Sequence, residues 1–161
     1  EALAGVNARW HFIGRVQANK TRPVAEHFDW VHGIDRARTA ERLSAQRPPH
    51  APPLNICVQI NIAAEAAKGG VAPDAALPLL RTLAVMPHLR LRGLMTMLPF
   101  DSPMAEQHRA FRSLRTLRDQ ANAAGLQLDT LSMGMSGDFE AAITEGATIV
   151  RIGTALFGPR P

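Results

Sequence analysis

The sequence predicts an α/β fold of about six β/α units wound around a parallel sheet, and three observations carry that prediction. Short apolar segments rich in branched residues alternate with longer stretches of helical period, the pattern left by strands joined through crossover helices. Start and stop residues for helices fall between those segments. At 161 residues and 46% hydrophobic, with 20% charged residues, the chain suffices for one domain with a sizeable core.

The first strand is expected over 10–13, in the apolar run WHFI, followed by a short helix over 21–27. A second strand over 30–32 leads through Asp35 into a helix over 35–46. The stretch RPPHAPP, 47–53, is too short for a domain linker and reads as a rigid loop into the third strand, LNICVQIN, over 54–61. Pro73 and Asp74 open a helix over 73–86, and the fourth strand follows over 91–97. Asp101, Ser102 and Pro103 precede a long helix over 104–124, in which Phe111, Leu114, Leu117 and Ala121 make one apolar stripe and Gly125 marks the end. Arg109, Arg112, Arg115 and Arg118 advance by threes along that helix and read as a solvated face, the other reading being a surface for an acidic partner. A fifth strand over 128–133 precedes a helix over 137–145 opened by Ser136, Asp138 and Glu140, and the sixth strand, 148–152, begins after Gly146.

Composition narrows the function classes. No apolar run reaches the roughly 18 residues needed to span a bilayer, and the opening EALAGVNAR lacks the basic-then-apolar order of a secretory signal, so a cytoplasmic protein is expected. The chain does not begin with Met and its first strand comes early, which makes an absent N-terminal portion the expectation. Of 18 basic residues only Lys20 and Lys68 are lysine, and the net charge is a modest +4. Without a clustered basic patch and stacking aromatics, nucleic acid is not the expected partner, although a basic interaction module stays open as an alternative. The single cysteine, Cys57, lies in an apolar run and reads as a core residue; no metal site is expected.

Two segments, WHFIGRVQANK at 10–20 and LDTLSMGMSGDFEAAITEGATIVRIGTALFG at 128–158, resemble the pyridoxal-phosphate homeostasis family, whose single-domain barrel is related to the N-terminal domain of alanine racemase. Six β/α units alone fit either an open doubly wound sheet or most of a barrel. The resemblance implies the barrel: a partial (β/α)8 barrel of the TIM type holding strands three to eight, one domain over 1–161 that lacks the N-terminal part carrying the Schiff-base lysine. It also implies pyridoxal 5'-phosphate as cofactor and a carrier or buffering role rather than catalysis. Pyridoxal-phosphate-dependent apoenzymes would be the recipients, and the chain would be a monomer or weak dimer. Lys20 follows its strand by several residues and is not assigned as the covalent lysine; Lys68 matches the family's loop after the fifth barrel strand.

Barrel sites lie at the carboxyl ends of the strands, with phosphate commonly held after the last two. In RIGTALFG, Gly153 permits close approach and Thr154 adds a hydroxyl; in LSMGMSGD, Ser132 stands at the strand end, Gly134 permits an unusual turn, and Ser136 either caps the next helix or reaches the ligand. Neither a dinucleotide glycine motif nor a complete nucleophile elbow is present. Arg151, a permanent cation in ATIVRIG, needs a partner: a salt bridge at a strand end, or a ligand. In the resembled family the matching arginine faces the pyridine nitrogen of the cofactor. The implied cofactor-binding set is Ser132, Met133, Ser136, Arg151, Gly153 and Thr154, with His11, Asn61 and Met95 beside them, and no catalytic residue. An arginine has donors only, so the ring nitrogen it meets stays unprotonated and withdraws electrons poorly. With no tyrosine in the sequence to act as a second base, an amino-acid racemase is the lesser alternative; a phosphate-binding barrel unrelated to pyridoxal is another.

Overall fold

The computed structural model describes residues 7–63 and 69–158. Six strands form one parallel sheet: β1 (His11–Phe12), β2 (Trp30–Ile34), β3 (Leu54–Gln59), β4 (Leu89–Met95), β5 (Thr130–Met135) and β6 (Ile149–Arg151). Their spatial order is their chain order. A doubly wound sheet reverses its order at a switch point; this one never does, so every helix returns the chain to the next strand on the same side, as in a barrel wall.

The helices are α1 (Thr21–His27), preceded by a single 3-10 turn at Ala18–Lys20, α2 (Ala37–Gln46), α3 (Pro73–Ala84), α4 (Met104–Ala123), α5 (Phe139–Thr144) and the four-residue α6 (Thr154–Phe157). Alternation along the strands divides the apolar residues between two faces. Val31, Ile56, Val58, Leu94, Leu131 and Met133 join Leu43, Leu80, Phe111 and Leu114 in the main core under the helices. Trp30, Cys57 and Met95 form a second, smaller cluster with Met97 and Ile149 on the opposite, inner face.

The strand boundaries differ from the sequence expectation for local reasons. β1 is two residues long because it has one neighbour, β2, and because the backbone of Trp10 is held by Asp29: Trp10 N–H donates to the Asp29 carboxylate at 2.7 Å, and Trp10 O accepts from Asp29 N–H. β5 begins two residues late because Asn122 at the end of α4 binds both the N–H and the carbonyl of Leu128. β6 loses its first residue because the Thr148 hydroxyl accepts the N–H of Leu131 at 2.8 Å.

The expected helix caps also differ. No side-chain cap bond occurs at any described helix start. Asp35 binds Arg36 and Arg15 instead, and Asp138 accepts the N–H of Met135. The loop after α2 is fixed by Arg47, which is buried and donates to the carbonyls of Ala25, Phe28 and Pro52.

The arginines of α4 keep the expected solvated face in part, with Arg109 and Arg112 exposed. Arg112 and Arg115 also reach Glu145 just beyond α5, at 2.8 and 3.3 Å, with His108 at 3.1 Å. Glu145 is 3% exposed, and the hydrogen bonds from Arg112 and then His108 hold its carboxyl down to about 2. This clamp ties the carboxyl end of α5 to the long helix. Arg109 and Arg118 pair with Glu106 and Asp119 at the surface.

Candidate functional site: the inner face and the turn after β6

β5 and β6 carry the site because their register sets Met135 beside Arg151. The turns that follow the two strands therefore emerge side by side. Gly134 makes the first turn: it adopts φ +97°, and a Cβ there would lie 2.7 Å from Ala142 Cβ. Only glycine allows β5 to bend over α5 at that point. The bend brings Ser136 to the start of α6, where its Oγ accepts from the N–H groups of Gly153 (3.3 Å) and Ala155 (3.2 Å). Ser136 thus does not cap α5. Its hydroxyl oxygen occupies the small cradle made by these two N–H groups, where an entering anion would displace it, with the exposed Thr154 at the first position of α6.

Two residues before Gly153, Arg151 turns inward. It is 9% exposed, and it donates through Nη1 to Ser132 Oγ at 2.7 Å and through Nη2 to the carbonyl of Thr96 at 2.8 Å. Thr96 in turn donates its hydroxyl to Ile60 O and its N–H to Ser132 O, so the ends of β3, β4, β5 and β6 are joined at this level. No carboxylate is hydrogen-bonded to the guanidinium among the described contacts. The salt-bridge reading of Arg151 is therefore set aside. Burial lowers its affinity for the proton, yet arginine stays charged at physiological pH. Its Nε–H is buried with no partner among the described residues, a cost that a bound acceptor would relieve.

Ser132 is also bonded to His32, whose Nδ1 lies 2.7 Å from the same Oγ, and His32 Nε2 lies 2.9 Å from His11 Nδ1. His11 stacks on Trp30 with 5° between the rings, and Arg92 covers Trp30 at 4.8 Å. Burial, followed by His11 and Arg151, pushes His32 down to about 3, so it is neutral. Burial also lowers His11, with Arg9 acting in the same direction and Asp29 against it.

Of the expected site residues, Ser132, Arg151 and His11 are joined in one hydrogen-bonded chain, and Ser136 and Gly153 in the cradle beside it. Met95 lies fully buried on the inner face beside Trp30 and Cys57. Met133 is corrected: alternation turns its side chain into the main core beneath the helices, away from this face. Asn61 follows the bridge between Ile60 and Val71, with its N–H on Val71 O, at the same end of the sheet as Thr96. Lys20 is exposed in the 3-10 turn, and Lys68 lies outside the described residues. Sequence reasoning missed His32 and the Thr96 carbonyl. The available signal for His32 was its place two residues after Trp30 on one strand, which puts both rings on the same face. Cys57, pushed up to about 12 by burial, is an inert core thiol.

The family model "Alanine racemase, N-terminal domain" matches residues 2–161. The pyridoxal phosphate homeostasis protein of Pseudomonas aeruginosa is 56% identical over 158 residues, covering 98% of this chain and 67% of that protein. The Escherichia coli protein of the same name is 48% identical over 165 residues, covering 99% and 68%. The chain thus spans about two-thirds of the length of these relatives. Among solved structures, PipY of Synechococcus elongatus with pyridoxal phosphate bound superposes with a TM-score of 0.90 at 34% identity, covering 98% of this chain and 74% of that one. An alanine racemase of Clostridium difficile gives 0.77 at 16% identity over 99% of this chain and 42% of its own, a likeness of fold alone.

Proposed function

The chain belongs to the pyridoxal phosphate homeostasis family, with the alanine racemase N-terminal domain as its fold, and from that premise we propose that it binds pyridoxal 5'-phosphate as a carrier or buffer. The observation that carries the proposal is the buried, unpartnered Nε–H of Arg151 beside the Ser136 cradle. A donor-only cation calls for an acceptor such as an unprotonated pyridine nitrogen, and a cradle of N–H and O–H groups calls for an anion. Arg151 ends β6 and Gly153 follows two residues later, so the unpartnered donor and the N–H groups held by Ser136 lie at one end of the sheet, and these residues fit the group.

Ser136, Gly153, Thr154 and Ala155 would hold the phosphate, Arg151 the ring nitrogen, and Met95 and His11 the inner-face surface near the ring. When bound, the cofactor supplies a reactive aldehyde and an electron-withdrawing ring. The protein's own contribution works against carbanion chemistry: Arg151 does not give up a proton at neutral pH, and it keeps the nitrogen it meets an unprotonated acceptor. Custody of the cofactor for recipient apoenzymes therefore fits better than racemisation.

Equilibrium dialysis with pyridoxine 5'-phosphate, which lacks the aldehyde, tests the noncovalent site directly. Binding is expected, weakened roughly 10- to 150-fold by Ser136→Ala and by Arg151→Met, the loss of about one charge-assisted bond each. Absence of binding, or equal affinity for a phosphosugar, overturns the reading.

A further inference from the structure

Four polar groups linked in series on the inner face, Arg151, Ser132, His32 and His11, have a single consistent direction. Arg151 can only donate, so it donates to Ser132 Oγ. The side chain of Ser132 is fully buried, and the other described partner of its hydroxyl is His32 Nδ1 at 2.7 Å. The Ser132 proton goes there, because any other arrangement leaves a buried O–H without an acceptor. Nδ1 of His32 is then bare and its proton sits on Nε2, facing His11 Nδ1 at 2.9 Å. Nδ1 of His11 is bare in turn, and His11 keeps its proton on Nε2 at the half-buried end of the chain.

We propose that His32 is a positioning residue, locked by this chain as the Nε2–H tautomer, which turns the Ser132 hydroxyl so that Arg151 is received and held, and that protonation of His11 releases the arrangement. A proton added at His11 Nδ1 meets the Nε2–H of His32. Either the contact between the two imidazoles breaks, or His32 changes tautomer and drives the Ser132 proton into a buried place with no described acceptor. Both outcomes loosen Arg151. The charged groups around the chain are Arg9 and Asp29 near His11, Arg92 over the Trp30 ring on which His11 stacks, and Arg151 itself, with Asp138 acting on it from the start of α5. No carboxylate is bonded to His32 among the described contacts, so nothing nearby compensates a second proton on it.

The effect on ligand rests on the proposed function above; the tautomer does not, and the two are tested apart. Long-range 15N–1H spectra of the 161-residue chain labelled at histidine, at about pH 7.5, are expected to show both His32 and His11 protonated at Nε2 and bare at Nδ1. A proton on His32 Nδ1 overturns the proposal without touching the cofactor reading. On lowering to about pH 5, the Nε–H resonance of Arg151 is expected to move with the titration of His11. Affinity for pyridoxine 5'-phosphate is then expected to fall about 2- to 10-fold more in the native chain than in His11→Phe, the ratio cancelling the ligand's own ionisation. Parallel decline in the two chains overturns the proposal. Failure of both to bind at any pH overturns the cofactor reading, and the tautomers still decide this one.

Discussion

Ser132→Ala is the substitution that most sharply measures what the inner-face chain contributes to the fold. It removes one oxygen that serves two buried partners, Arg151 Nη1 and His32 Nδ1, each at 2.7 Å. The bond to the guanidinium is charge-assisted, about 1.5–3 kcal/mol, and the bond to the neutral imidazole about 1 kcal/mol. The alanine leaves no acceptor for Nη1, and with Nε already unpartnered, Arg151 keeps a single described bond, to Thr96 O. A loss of about 2.5–4 kcal/mol follows, which for a chain of this length lowers the melting temperature by roughly 5–16 °C. Urea unfolding at neutral pH, with the slope checked for constancy, is the assay. Adding His32→Phe should cost less than the two single losses combined, because the partner left unsatisfied by the first change is gone. A Ser132→Ala loss below about 1 kcal/mol, or strict additivity in the double variant, would refute the reasoning.

Two further outcomes follow from the same geometry. His32 and His11 are both held below the ordinary histidine range in the folded chain, so the unfolded chain takes up their protons first. The stabilising effect of His32 is complete above about pH 6.5 and declines as the pH falls towards 3, by up to about 1.4 kcal/mol per pH unit, and His11 adds the same sign below its ordinary value; Glu145, held at about 2, adds the same sign between its ordinary value and that point. The urea midpoint measured from about pH 8 to pH 4 should therefore fall below pH 6.5, and a flat or rising midpoint there contradicts the burial of His32. Gly134→Ala combines a left-handed φ with a 2.7 Å approach to Ala142 Cβ, and about 2–4 kcal/mol of stability should be lost along with ligand affinity, since Ser136 lies two residues on. Unchanged stability would mean that β5 need not bend where the structure bends it.

Local signals made much of the fold legible. The helix expected over 21–27 is α1 residue for residue, and Gly125 and Gly146 end α4 and α5 as their positions indicated. Alternation of apolar and helical segments located all six strands to within a few residues. The shifts that occurred came from partners distant in sequence, which a one-dimensional pattern does not encode: Asn122 on Leu128, Thr148 on Leu131, Asp29 on Trp10. Spatial strand order was invisible for the same reason, and the family resemblance supplied the barrel that periodicity left open.

The site was legible where chemistry is concentrated in short runs, as in MGMSGD and VRIGT. It was illegible where a residue acts through a remote neighbour. Glu145 looks like an ordinary helix-end acid until Arg112 and Arg115 are seen to converge on it from 33 and 30 positions away, and His32 looks like a strand residue until Ser132, 100 positions later, is found against its ring. Met133 was expected beside the cofactor, whereas alternation sends its side chain to the opposite face from Ser132.

The central claim is that an acceptor on a flat ring meets the Arg151 Nε–H while its phosphate sits among Ser136, Gly153 and Ala155. Amide and guanidinium resonances followed during titration with pyridoxine 5'-phosphate, unphosphorylated pyridoxine and inorganic phosphate test it most directly. The phosphorylated vitamer should shift Arg151 Nε–H together with the Gly153 and Ala155 amides, whereas inorganic phosphate should move only the two amides. If the phosphorylated vitamer leaves Arg151 Nε–H unmoved, or shifts residues elsewhere on the sheet, the account is contradicted.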